Sequence, residues 1–178
     1  IIFIGGNKVG TGYFRNVGNT QRLGTEFALN GELRKKWNWF AKYAYVRATF
    51  ETNQKISSVG HAENSLNGDD TVDEAEIKES YQITIGPGDA IPGISPHIGR
   101  FGVGYSPFEN WDISFDVEAN SDQFFRGDEN NAHGLKVPGY FLFNINTEYS
   151  VKNINGNQIT FFLQALNILD ENYETGGI

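Results

Sequence analysis

The sequence contains no cysteine and no methionine, and bases are scarce: 14 Lys and Arg against 22 Asp and Glu in 178 residues, a formal charge of −8. Without Cys there is neither a disulfide scaffold nor a thiolate metal site. The acidic balance argues against a basic face, so no nucleic-acid partner is expected. No apolar run is long enough for a helical membrane span, and the mean hydropathy is −0.42. Neither observation excludes a transmembrane β-barrel, whose strands alternate and average to near neutral. An initiator Met and a secretory leader are also missing, and the opening IIFI already reads as strand interior. A segment of a longer protein is therefore expected.

The charge that is present is uneven. Residues 51–80 hold eight acids and two bases, so most of the acidity sits in one stretch. Within it, NGDDTVDE at 67–74 is rich in oxygen donors. It lacks the spaced carboxylates that wrap one Ca²⁺, so it reads as a solvated acidic loop. His61, His97 and His133 are far apart and match no metal-ligand spacing. No metal site, no cofactor and no catalytic constellation are expected, and the chain does not read as an enzyme.

What recurs is period-two alternation, the mark of strands with two unlike faces. Trp111, Ile113, Phe115, Val117 and Ala119 alternate with Asp112, Ser114, Asp116, Glu118 and Asn120. Residues 140–151, 159–165, 99–105, 37–45 and 23–29 repeat the pattern. With residues 1–4 the reading is all-β, about seven strands. Short turns (32–36, 106–110, 152–157) alternate with longer connections (5–13, about 51–95, about 126–138). That is the pattern of an antiparallel up-and-down barrel with one plain rim and one elaborated rim. The stretch from Trp37 to Phe50 is longer than the ~9–11 residues a membrane strand needs. Trp37, Trp39 and Trp111 stand beside short turns, and Tyr105 and Tyr149 end strands at the same rim, as an interfacial aromatic girdle would. A soluble β-sandwich or lipocalin-like barrel would show the same alternation, with its apolar face inward.

Five stretches decide between these readings. NILDENYETGG at 167–177 resembles the N-L-F-D-x-x-Y signature of TonB-dependent outer-membrane receptors, with Leu169 where that family usually has Phe. KVPGYFLFNINTEY at 136–149, GDAIPGISPHIGRFGVGY at 88–105, NVGNTQRLGTEFAL at 16–29 and WNWFAKYAYVRATF at 37–50 resemble further strands of that family, in the same order. ISPH carries one residue more than the family's usual spacing. The resemblance covers nearly the whole chain. It implies a partial barrel, about seven of ~22 strands, with an N-terminal plug and the final strand outside residues 1–178. It also implies a bacterial outer-membrane location, contact with outer-membrane lipid, and TonB-driven uptake of a scarce nutrient, most commonly a ferric siderophore. A passive porin would share the barrel and rims but lack the plug.

The direction of the wall follows from that match. Trp111, Phe115 and Val117 would meet lipid. Arg22, Glu26, Lys42, Arg100, Asp112, Asp116 and Glu118 would meet the lumen and plug. FFRGDENNAHG at 124–134 stands at a strand top and mixes aromatic, cationic and amide groups. Its candidate ligand contacts are Phe125, Arg126, Asp128, Asn131 and His133. Arg126 offers a fixed fork of donors for carboxylate, catecholate or hydroxamate groups. The competing role for Arg126 and Asp128 is mutual pairing that orders the loop.

Overall fold

The computed structural model describes residues 2–5, 12–15, 18–57 and 82–176. Its centre is one six-stranded antiparallel sheet. The strands are β3 (Thr20–Leu33), β4 (Trp37–Phe50), β7 (His97–Phe108), β8 (Trp111–Asn120), β11 (Tyr140–Lys152) and β12 (Gln158–Ala165). They lie in the order β12-β11-β8-β7-β4-β3, so each strand pairs with its neighbours in this series along the chain. The strand expected at the start forms as β1 (Ile2–Gly5), but it pairs with β2 (Gly12–Arg15) in a separate hairpin. Among the described residues the continuous wall therefore counts six strands.

Side-chain period and register together set the two faces. Leu23 stands opposite Arg47, Phe27 opposite Tyr43 and Ala41 opposite Phe101. Phe101 continues to Val117 and Val117 to Phe143. The other face runs from Glu26 to Ala44, from Lys42 to Arg100, from Arg100 to Glu118 and from Asp116 to Asn144.

The two ends of the wall differ. At one end the chain reverses within a few residues. Arg34 and Lys35 both adopt the left-handed region, with φ of 55° and 58°. The Asn153 side chain accepts the amides of Asn155 and Asn157, a local bond that turns the chain without help from elsewhere. The Ser106 amide donates to the Lys36 carbonyl, and Asn110 and Ser150 bond each other, so adjacent turns are stapled together.

At the other end the connections carry structure of their own. β5 (Gln54–Ser57) pairs with β6 (Gln82–Ile85), and β9 (Gln123–Phe124) pairs with β10 (Lys136–Val137). Phe50, Ile56, Ile83 and Ile85 form a buried cluster there, with Ile91 packed against it. Segment 86–91 zips onto the end of β4: the Phe50 amide donates to the Asp89 carbonyl, and the Ile91 amide to Ala48.

Candidate functional site

All seven charged residues expected on the lumen side (Arg22, Glu26, Lys42, Arg100, Asp112, Asp116 and Glu118) share one face of the sheet. The middle of that face is a hydrogen-bonded relay across three strands. The Arg100 guanidinium donates to Asp116 Oδ2 through Nη2 at 3.1 Å and Nε at 3.3 Å. The same oxygen accepts Asn144 Nδ2 at 3.1 Å. Asn144 Oδ1 in turn accepts the Asn167 amide at 3.0 Å. Asp116 and Asn144 are buried, and a buried carboxylate is tolerable only when paired and hydrogen-bonded in this way. Lys42 and Arg100 stand directly opposite one another, and like charges in register repel. Phe40 lies close to both, with Lys42 Nζ 5.8 Å and Arg100 Cζ 5.9 Å from its ring centroid, which offsets the repulsion. Its ring occupies the space where Gly102 lacks a Cβ; a methyl there would come within 2.3 Å of the ring. Asp112 accepts a hydrogen bond from the Ser106 hydroxyl near the short-turn end. Glu118 accepts from Asn120.

The NILDEN stretch is a cap for the wall. Asn167 and Asp170 take left-handed φ of 49° and 53°, a region that Asn and Asp tolerate best after Gly. Asn167 clamps Glu171 from both sides, donating to its carbonyl and accepting its amide. The Ile168 amide returns to the Phe143 carbonyl. The chain then runs along the sheet, where Tyr173 meets the Tyr140 ring at 4.7 Å and the Thr175 carbonyl accepts from Gln123.

The five candidate ligand contacts fall into two groups. Asp128 and Asn131 are inside the loop fabric. Asp128 is buried and accepts the amides of His133 and Leu135. Asn131 spans two connections: its Oδ1 accepts the Ala90 amide at 2.6 Å, and its Nδ2 donates to the Ala90 and Asp128 carbonyls. Gly127 permits the sharp entry to this turn, at φ of 114°. Phe125 is half-buried and donates its amide to Leu135. Arg126 and His133 are exposed. Arg126 lies over Gly93 and lines a cleft of about 430 Å³ with Gln123, Phe124, Val137, Thr175 and Gly176. Among the described residues its guanidinium makes no ion pair.

Sequence reading missed Asn144, Phe40 and Ala90. Asn144 sits in the polar register of its strand and was visible in the alternation. Phe40 acts through a cross-strand contact and Ala90 through a bond between two connections, neither of which spacing alone shows. His97 is held by Tyr43, whose hydroxyl lies 2.7 Å from Nδ1. No group of three or more His, Asp or Glu converges on a metal geometry among the described residues. His61 and the acidic run at 67–74 lie outside them.

No curated protein matches the chain. The family model for the TonB-dependent receptor-like β-barrel matches residues 1–168. That family consists of transporters rather than enzymes, it resides in the bacterial outer membrane, and it works with TonB and a small-molecule ligand. The antiparallel all-β wall, its two unlike faces, its unequal ends and a match over most of its length together show that this chain belongs to the TonB-dependent receptor β-barrel family.

Proposed function

We propose that this chain is part of the wall of a receptor for ferric siderophores. In this reading the long-loop rim faces outside, the short-turn rim faces the periplasm, the Arg100–Asp116–Asn144 face meets the plug, and the Leu23–Tyr43–Phe101 face meets lipid. The sheet supports the lipid assignment through its unpartnered apolar side chains: Leu23 is 68% and Phe27 63% accessible, whereas mid-face Asp116, at 6%, is buried among polar partners. The observation that carries the cargo class is Arg126, an exposed guanidinium without an ion pair among the described residues, set in a cleft beside Phe124. Such a group suits a ligand with carboxylate, catecholate or hydroxamate oxygens. Asp128 and Asn131 serve that cleft by fixing its backbone, and His133 stands on the same loop.

The test is tryptophan quenching of the full-length receptor by a panel of ferric siderophores. At least one should bind, and Arg126→Ala should weaken it by about tenfold or more, the worth of a charged hydrogen bond. A receptor that binds none of them, but binds cobalamin, haem or a saccharide, would overturn the cargo assignment.

A further inference from the structure

We propose that the groove beside Arg47 seats the phosphate of a membrane lipid. This rests on the membrane reading above and goes beyond it. Arg47 projects from the apolar face, opposite Leu23. It is exposed, and among the described residues it forms no ion pair. A cation on a lipid-facing strand is costly at the bilayer centre and nearly free at the interface. The position of Arg47 fits the second case. On β4 the same face carries Trp37 and Trp39 at the short-turn end and Tyr43 and Tyr45 six and eight residues beyond Trp37, with Arg47 next. Trp37 to Tyr45 is nine residues, within the ~9–11 that a tilted strand needs to cross an apolar core. Tyr45 and His97 lie ring against ring at 5.1 Å, closing the upper girdle. Arg47 is one step beyond it.

The groove there has a volume of about 190 Å³ and is lined by Tyr45, Arg47, Ile94, Pro96, Phe124 and Lys136 among others. Lys136 bonds Asp122 at 2.6 Å and sits 5.0 Å from the Phe124 centroid. Two cations against one carboxylate leave the groove positive. Most of the remaining lining is apolar, Ile91, Ile94, Pro96 and Phe124 included, and Tyr45 and Arg47 belong to the apolar face of β4. A soluble anion would use only the charge, and a protein partner would leave the apolar continuation unexplained. An amphiphile with an anionic head uses both.

Native mass spectrometry of the full-length receptor in neutral detergent tests this, with phosphatidylglycerol as the probe. The wild type should retain it, and combined Arg47→Gln and Lys136→Gln should weaken retention by about tenfold. Arg47→Lys should keep most of it, and combined Lys35→Gln and Lys36→Gln at the opposite rim should leave it unchanged. Equal retention of diacylglycerol, displacement by inorganic phosphate, no wild-type adduct, or retention unaffected by the double substitution would each overturn the proposal. A receptor that stays dispersed without detergent would sink the membrane reading itself. One that needs detergent yet holds the lipid equally after substitution would sink this inference alone.

Discussion

The sheet and the long-loop rim treat their apolar side chains differently. In the rim, Phe50 and Ile85 are each 1% accessible and sit in a cluster of apolar neighbours. In the sheet, Asp116 and Asn144 are buried while Leu29, Phe101 and Phe161 lie open. One chain thus follows two solvation rules. The rim packs as a water-soluble protein does, by removing apolar area from water. The wall leaves its apolar side open, and satisfies the polar side by bonds between strands.

Breaking each half should give a different signature. The largest effect is expected from Phe50→Ala, which empties the rim cluster at a cost of about 3–5 kcal/mol. Hydrogen exchange on the full-length receptor should then lose protection at 83–91 while β8 and β11 stay protected. Loss of protection along the whole wall would show that the rim is not a separate packing unit. Next is Phe101→Arg in mid-strand, expected to cost about 2–4 kcal/mol when the receptor folds into lipid vesicles. Ser114→Arg on the polar face should cost far less in the same assay. Equal costs would erase the distinction between the faces. The smallest effect is Asp128→Asn, which replaces one acceptor of the His133 and Leu135 amides with a donor. About 1.5–3 kcal/mol of local stability should go, read as faster exchange of those two amides. Unchanged exchange would remove Asp128 from the role of loop organiser.

The two faces were legible in the sequence because strand periodicity is two, and apart from the irregularity between Tyr105 and Phe108 the β7–β8 pairing keeps it. Trp111, Phe115 and Val117 separate from Asp112, Asp116 and Glu118 by counting alone. Register was not legible. Nothing local to Arg100 says that its partner is Asp116 rather than Glu118, its direct cross-strand neighbour. The rim core was hidden for a related reason: β5 and β6 have four residues each, too few to show periodicity, and 24 residues separate them. Asn131 was singled out for its chemistry, but its partner Ala90 is 41 residues away. The NILDEN cap was recognisable as a motif, and its geometry explains the choice of residues: left-handed positions are filled by Asn and Asp.

The meander order of the wall carries a consequence for how such a chain can change. Each pairing joins consecutive wall strands, so each connection closes one hairpin and no other. The entropy of closing a loop grows with the logarithm of its length, and doubling a connection costs only about 0.6 kcal/mol. Insertions between β4 and β7 or between β8 and β11 leave every cross-strand register as it stands. New recognition surface can accumulate at one end by lengthening, at small energetic penalty, while the stapled turns at the other end hold the circumference constant.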